Sequence, residues 1–378
     1  NPERPGGIPL VSFERSHRDV HGASLRWVPM SDERFLIKDF FNETTVGVLA
    51  DAVAESRPEF DRQSFMERVF DEAWQDRALK ERLHHVTAEL AAGLPEDYPQ
   101  AISVLRAAAP RMSAAGFAAL VCSDFVEQYG LDDYDTSIPA LEQFTVVMSA
   151  EFAVRPFILR YPDRMYPQLL AWAKHPDPAV RRLASEGSRP RLPWGIALTP
   201  LMEDPSPVLP VLATLRHDPS EDVRRSVANH LNDIAKDNPD LVVAVLAEWH
   251  DGTSEVDGIT RPGLRTLLKR GDPAALRLLG YHPDPEVEVD GLRLDPADVA
   301  VGEATRVHFV VRSTSSSSQR IMIDLVVFFQ KARGSLSPKV FKVKTADLEP
   351  GATTAVSRKL SFQHLSTRTI YPGPHAVE

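Results

Sequence analysis

Two stretches of the chain share one pattern, "HPDPAVRRLASEG" at 175–187 and "DPSEDVRRSVANH" at 218–230. Each has an acidic turn with proline, then a Val-Arg-Arg step, and then a run rich in small residues. Aligning Val180 with Val223 gives an offset of 43 residues, at which both arginine pairs coincide. This period and pattern are typical of HEAT-type repeats, in which pairs of helices stack and share one core. The sequence therefore predicts a helical solenoid here.

The segments around this repeat differ from it in composition and in the spacing of their apolar residues. Residues 30–150 contain further stretches with helical spacing of apolar residues, one of them over 113–128, and we predict one helical domain over 30–283. From there on, β-branched and aromatic residues alternate with polar ones in short runs, which predicts an immunoglobulin-like β-sandwich over 284–378. Residues 1–29 are rich in proline and glycine and are expected to form a poorly ordered extension. The predicted fold class is multidomain, a HEAT-like α-helical solenoid followed by an immunoglobulin-like β-sandwich.

The composition excludes several classes of protein. The 378-residue chain has a single cysteine, Cys122, which rules out a disulfide framework and a cysteine-based zinc site. No long uninterrupted apolar window occurs, so we expect no membrane contact. The signatures of nucleotide, serine and zinc hydrolases are missing, and the rings of the adjacent His84 and His85 would leave a helix about 100° apart. We therefore expect no metal, no cofactor and no obligate protein partner.

The charge is distributed unevenly along the chain. A net charge of −10 speaks, by itself, against a polyanionic partner such as nucleic acid. Residues 30–150 hold 22 acidic and 10 basic residues, which is more than the whole net charge. Residues 151–225, here called the Arg-rich block, hold 11 basic and 9 acidic residues, and nearly all of the basic ones are arginine. An acidic block followed by the Arg-rich block is compatible with DNA binding on one concave face only.

The Arg-rich block also holds the residues best suited to catalysis. "SAEFAVRPFILRYP" (149–162) places Glu151 one helical turn before Arg155. "RRLASEGSRPRLPWG" (181–195) combines a glutamate, several arginines and a tryptophan in a segment with two prolines. Structural alternatives remain open: an ion pair between Glu151 and Arg155, a tryptophan that plugs the gap between repeats, and Val-Arg-Arg arginines that form salt bridges within the repeats.

Several of these segments carry a family resemblance. "EFAVRPFI" (151–158), "RRLASEGSRPRLPW" (181–194) and "VRRSVANHLNDIAKDNPD" (223–240), followed by the sandwich with "SPKVFKVKTADLEPG" (337–351) and "HLSTRTIYPGPH" (364–375), resemble the AlkC branch of the AlkD-like DNA glycosylases. The resemblance runs from about Met30 to the end of the sequence. It implies a cytoplasmic, bacterial-type protein that acts at the nucleoid on alkylated double-stranded DNA. It also implies metal-independent, monofunctional excision of 3-methyladenine and 3-methylcytosine in base excision repair, without base flipping.

The resemblance also implies roles for individual residues. Glu151 and Glu186 are assigned to the lesion, one against the sugar and the attacking water and the other in support, and Trp194 lies against the deoxyribose. An N3-alkylated base is already cationic and leaves easily, so the developing charge on the sugar is what must be stabilised. Basic and polar residues are expected to hold the DNA. The predicted DNA contacts are Arg155, Arg181, Arg182, Arg189, Arg191, Arg224, Arg225, Asn229, Lys342 and Lys344.

Two alternatives remain open. Lys342 and Lys344 share one face of a predicted strand, where lysines usually protect a sheet edge from aggregation, and phosphate contact is the other interpretation. For the whole chain, a non-catalytic HEAT-repeat scaffold that binds DNA or protein is consistent with the same coarse fold. The paired glutamates beside a tryptophan favour the enzyme, because a scaffold has no need for them. The predicted chemistry favours cationic lesions and should spare uracil, which is neutral.

Overall fold

The computed structural model describes residues 36–364 and 368–378, and its contacts separate two compact units between Leu267 and Leu268. The predicted extension over 1–29 lies outside the described residues. The first unit is helical, and the second contains β-strands. The expected domain boundary, between residues 283 and 284, stays a prediction.

The first unit is built from short helices. They are α1 (Glu43–Ser56), α2 (Arg62–Val69), α3 (Leu79–Ala92), α4 (Tyr98–Ala108), α5 (Val121–Tyr129), α6 (Tyr134–Val147), α7 (Val154–Arg160), α8 (Pro162–Trp172), α9 (Pro178–Glu186), α10 (Thr199–Glu203), α11 (Leu209–Leu215), α12 (Glu221–Ile234), α13 (Pro239–Trp249) and α14 (Ser254–Gly263). Helix α15 (Arg265–Arg270) crosses the division, and α16 (Pro273–Leu278) belongs to the second unit. Short 3-10 helices cover Ile37–Phe40, Trp74–Asp76, Ala109–Leu120 and Ser206–Val208. Within the described residues, no helix is long and apolar enough to cross a membrane.

Local sequence explains where many helices begin. Asn42, Asp61, Asp97 and Asp133 each accept hydrogen bonds from the first-turn N–H groups of the helix that follows. Asp177 does the same for α9, whose first residue is a proline that has no N–H to satisfy. Several acidic residues of the turns, including Asp177 of one Asp-Pro turn, are therefore helix N-caps.

The predicted helix over 113–128 is wrong in its first half. Residues Ala109–Leu120 form a 3-10 helix that is interrupted at Gly116, and α5 begins only at Val121. Gly116 has φ = 56°, a left-handed conformation that a regular helix does not contain and that glycine adopts without steric cost. Apolar spacing continues across the interruption, which is why the sequence favoured one helix.

The repeat is visible in the packing of α9 against α12. Val180 and Val223, the residues aligned by the 43-residue offset, are both fully buried. The first arginine of each pair closes its own turn: Arg181 Nη1 donates to the carbonyls of His175 (3.0 Å) and Pro176 (2.8 Å). Arg224 Nη1 donates to the carbonyls at the equivalent positions, 218 and 219. The repeated sequence therefore encodes a repeated turn.

Among its described residues, the second unit has six strands in two antiparallel sheets. They are β1 (Val287–Asp295), β2 (Ala304–Ser313), β3 (Gln319–Gln330), β4 (Leu336–Leu348), β5 (Thr353–Ser361) and β6 (Ala376–Val377). One sheet has the order β1-β2-β5 and the other β4-β3-β6. Alternate residues of β2 and β3 are buried in one shared core that includes Val307, Leu325 and Phe329. The predicted β-sandwich is confirmed.

Candidate active site

Glu151 lies in the turn just before α7. Its Oε2 accepts hydrogen bonds from Ser149 Oγ at 2.8 Å and from Arg182 Nη1 at 2.9 Å. The side chain is 16% exposed, so it can be reached from solvent while its orientation is fixed. The ion pair considered from the sequence, with Arg155 one turn along, is replaced by this pairing with Arg182, which comes from α9.

Glu186 is the last residue of α9 and is buried. Its Oε1 accepts a hydrogen bond from Arg189 Nη1 at 2.6 Å, and its Oε2 accepts one from Ser226 Oγ at 2.6 Å. Burial alone would raise the pKa of this carboxyl, but the charges of Arg182 and Arg189 and the hydrogen bond from Ser226 outweigh burial and lower it. Glu186 is therefore held as a carboxylate.

Arg182 joins the two glutamates into one cluster. It lies one helical turn before Glu186, and its Nη2 is 3.8 Å from Glu186 Oε1 while its Nη1 bonds Glu151. Desolvation acts to lower the pKa of the guanidinium, but the two carboxylates outweigh it and raise that pKa. We call Glu151 and Glu186, joined through Arg182, the carboxylate pair. The structure thus brings together residues from two separate motif segments.

Arg189 extends this cluster into α12. Its Nε donates to Asp233 Oδ2 at 2.8 Å while its Nη1 bonds Glu186, and Asp233 also accepts from Lys236 Nζ at 2.8 Å. Arg189 is buried, with both sides of its guanidinium occupied by carboxylates. The predicted phosphate contact of Arg189 does not fit this geometry, because no phosphate reaches a cation that is buried and already paired.

Arg155 also differs from its predicted role. The residue is fully buried, and its guanidinium donates to the carbonyls of Gly187 (3.0 Å), Arg189 (2.7 Å) and Ile196 (2.7 Å). Burial, together with the nearby charge of Arg189, lowers the pKa of Arg155 to about 10. Its N–H groups hold the chain's own backbone rather than a phosphate. Arg155 therefore supports the segment 187–196, here called the site loop.

Trp194 lies near the end of the site loop. Its φ of 65° is the positive value of a left-handed conformation, which is uncommon for a residue other than glycine. The residue is 40% exposed, so it is not enclosed as a plug buried between repeats would be. A strained backbone that presents an exposed aromatic ring is a frequent feature of functional sites.

The other predicted DNA contacts fall into two groups. Arg181 and Arg224 close the repeat turns, and Arg181 also pairs with buried Asp218 at 2.6 Å, so the salt-bridge alternative describes these two arginines. The remaining residues keep part of their side chains at the surface. These are Arg191, paired with Asp237; Arg225, paired with Glu221 and Asp222; Asn229, half-buried on α12; and Lys342 and Lys344, both exposed on β4. Strand β4 is at the edge of its sheet, where lysines also oppose aggregation.

Sequence reasoning missed three polar residues that line one side of α12. Ser226, His230 and Asp233 are buried, and they follow one another at spacings of four and three residues, which places them on one helix face. Ser226 and Asp233 hold the carboxylate network, and His230 Nδ1 is 3.0 Å from the carbonyl of Ser185. A row of polar residues on the core-facing side of a predicted helix is the sequence signal that could have identified them.

The comparisons with known proteins agree with this picture. A family model described as DNA alkylation repair enzyme matches residues 65–257. The chain belongs to this family. A second family model, the C-terminal Ig-like domain of the uncharacterised protein YhaZ, matches residues 288–378. These matches cover most of the helical unit, with the carboxylate pair, and the β-sandwich separately.

Whole-chain relatives extend the match. The uncharacterized protein YhaZ of Bacillus subtilis (strain 168) is 41% identical over 341 residues, which cover 90% of this chain and 94% of YhaZ. Among solved structures, Pseudomonas fluorescens alkylpurine DNA glycosylase AlkC, bound to DNA containing an abasic site analog, is 37% identical with a TM-score of 0.85. That match covers 90% of this chain and 94% of the AlkC chain. The predicted resemblance to AlkC-like alkylation-repair DNA glycosylases is confirmed.

Proposed function

We propose that this protein is a monofunctional DNA glycosylase that releases 3-methyladenine and 3-methylcytosine from double-stranded DNA without flipping the base. The observation that carries the proposal is the carboxylate pair, in which Glu151 and Glu186 meet at Arg182. The likeness to AlkC, a DNA glycosylase captured on an abasic site analog, supports the same class of reaction. The proposal gives the protein a place in base excision repair.

The chemistry of a cationic lesion suits this arrangement. The N-glycosidic bond of an N3-alkylated base breaks readily, because the departing base loses a positive charge and needs little help from a general acid. Positive charge develops instead on the deoxyribose, and a nearby carboxylate stabilises it and orients the attacking water. One glutamate takes this position and the other supports it. The lowered pKa of Glu186 keeps that residue charged, as this role requires.

Trp194 and the exposed arginines complete the proposed site. The exposed aromatic ring of Trp194 would lie against the deoxyribose, where its face favours a developing cation. Arg191 and Arg225, both exposed, are the best placed cations for flanking phosphates. A site that uses charge stabilisation without a general acid should act on cationic bases and leave neutral uracil in place.

Single-turnover release of 3-methyladenine from methylated DNA, with enzyme in excess, tests the proposal. We expect Glu151→Gln and Glu186→Gln each to reduce the rate constant about 100-fold or more, the size of effect typical of lost electrostatic stabilisation. Trp194→Ala should also reduce it. The matched control is Glu221→Gln, which removes an exposed carboxylate from the first turn of α12 and should leave the rate unchanged.

Two results would contradict the proposal. Full activity in both glutamine variants would remove the carboxylate pair from the reaction. Robust release of uracil from a uracil-containing duplex by the wild-type protein would contradict the proposed selectivity for cationic lesions.

A further inference from the structure

Lys80 contacts both motif segments of the candidate active site although it is distant from them in sequence. It lies in the first turn of α3, within the acidic part of the chain. Its Nζ donates a hydrogen bond to the backbone carbonyl of Trp194, 114 residues away. The same Nζ is 5.5 Å from the ring centroid of Phe152, the residue that follows Glu151. Lys80 therefore touches the backbone of one segment and a side chain of the other.

Arg155 contacts the backbone both before and after the same tryptophan. Its Nε donates to the carbonyl of Ile196, two residues after Trp194, and its Nη1 donates to the carbonyl of Arg189, five residues before it. Between these contacts, the backbone of Gly195 packs on the Arg155 side chain, where a Cβ would be only 3.0 Å from Nε. The backbone is thus fixed before, at and after Trp194.

The conformation of Trp194 requires such support. A left-handed conformation is sterically unfavourable for an L-residue with a side chain, so other contacts must hold it. The residue as a whole is 40% exposed, so it is not enclosed by packing on all sides. The backbone that carries the indole is instead held by two cations, Lys80 at the carbonyl of Trp194 and Arg155 at the carbonyls of Arg189 and Ile196.

We propose that Lys80 is a positioning residue that holds Trp194, within the backbone segment supported by Arg155, in the orientation needed for base release. The inference rests on the proposed function in one respect, the contact of Trp194 with the lesion. Lys80 acts through the carbonyl of Trp194. Because it also contacts Phe152, it holds the site loop in a fixed position relative to the segment that carries Glu151. Misplacement of a substrate-contacting group by about 1 Å can reduce a rate about 100-fold, so loss of this hold should be measurable.

Lys80→Met tests the inference because it removes the ammonium group but keeps a flexible apolar stem. Base release is measured at saturating enzyme in the wild-type and in the Trp194→Ala background. We expect about a tenfold lower rate constant in the first background and no further loss in the second, because Lys80 acts through Trp194. Lys80→Arg, which can still donate to a carbonyl and lie over a ring, should retain most of the rate. The matched control is Lys38→Met, since Lys38 Nζ also donates to a backbone carbonyl, that of Gln75 at 3.0 Å.

Two kinetic results would overturn the inference. The first is an equal loss in both backgrounds, which indicates a role independent of Trp194. The second is an unchanged rate in Lys80→Met.

A second measurement separates this inference from the proposed function. The chain contains five tryptophans, and labelling them with 5-fluorotryptophan gives fluorine resonances, of which that of Trp194 is identified by its loss in Trp194→Phe. Lys80→Met should shift or broaden this resonance, whereas Lys38→Met should leave it unchanged. If the wild-type protein releases no base, the proposed function fails and this resonance alone decides the inference. An unaltered Trp194 resonance in Lys80→Met overturns it.

Discussion

Helices α9 and α12 begin with the same Val-Arg-Arg step and diverge at their ends. Helix α9 stops at Glu186, whereas α12 continues to Ile234, five residues beyond the equivalent position 229. Pro190 and Pro193 follow α9, and each restricts the residue before it and lacks the N–H that a helix interior requires. The first repeat therefore ends early and produces the site loop. The candidate active site lies where the repeat is interrupted.

The contacts of the two aligned arginine pairs show how the two repeats differ. The first arginines, Arg181 and Arg224, make equivalent carbonyl contacts in both turns. The second arginines differ, because Arg182 faces the carboxylate pair whereas Arg225 pairs with exposed Glu221 and Asp222. In both repeats, the first arginine of the Val-Arg-Arg step therefore stabilises the turn. Only in the first repeat does the second arginine contribute to the candidate site.

The largest expected effect comes from making the first repeat resemble the second at Arg189, whose equivalent is Asn232. Arg189→Asn leaves Glu186 and Asp233 buried without the cation between them, which should lower the free energy of unfolding by about 3 to 5 kcal/mol. Urea unfolding measures this decrease in the free energy of unfolding. Arg191→Asn in the same loop breaks only the exposed pair with Asp237 and should cost less than about 1 kcal/mol. Equal losses in the two variants would show that the buried network does not stabilise the fold.

The two turn arginines give a smaller and graded effect on stability. Arg181→Met removes two carbonyl contacts and the pairing with buried Asp218, which should cost about 3 kcal/mol. Arg224→Met removes carbonyl contacts only and should cost about 1 kcal/mol. Methionine keeps an apolar stem at both positions, so that packing is matched. A larger loss at Arg224 than at Arg181, in thermal or urea unfolding, would contradict this ranking.

His230, which aligns with Gly187 in the first repeat, should make the helical unit sensitive to acid. Burial, together with the charge of Arg189, lowers the pKa of His230 to about 3 from 6.5, so between these values the unfolded chain binds a proton that the folded chain does not. Stability therefore falls as the pH decreases through this window, by about 2 kcal/mol between pH 7 and pH 5. His230→Phe, which cannot titrate, should lose less stability than the wild type on the same change. A constant difference between the two proteins from pH 7 to 5 would exclude this contribution.

Regular features of the fold were predictable from single-residue patterns. The 43-residue period located the repeat, and the alternation in 320–329 indicated a strand with one buried face, as β3 has. The position of Gly116 was harder to interpret, because the apolar spacing continues through a residue whose backbone conformation interrupts the helix. Local periodicity therefore identified the elements better than their ends.

The candidate site was predictable only in its residue types. Glutamates and a tryptophan within an arginine cluster suggested the reaction, but no local pattern indicates which carbonyl or carboxylate each arginine contacts. Arg155 bonds carbonyls 32 to 41 residues away, and Arg189 bonds Asp233, 44 residues away, as well as the nearby Glu186; burial of both guanidiniums depends on packing between helices. The contact of Lys80 with Trp194, 114 residues away, is not indicated by any local sequence pattern.

The smallest expected effect separates the two second arginines by the step that they influence. Arg182→Met should lower the rate constant for base release at saturating enzyme about tenfold, or about 1.4 kcal/mol, because Glu151 keeps only Ser149 of its two hydrogen-bond donors and the carboxylate pair loses its shared cation. Arg225→Met should leave that rate constant unchanged and weaken DNA binding a few-fold, with a smaller dependence on salt, because an exposed cation acts through phosphates. Single-turnover rates and binding titrations at several salt concentrations distinguish these outcomes. If both variants changed affinity alone, Arg182 would belong with the phosphate contacts, and the difference between the two repeats would not extend to the reaction.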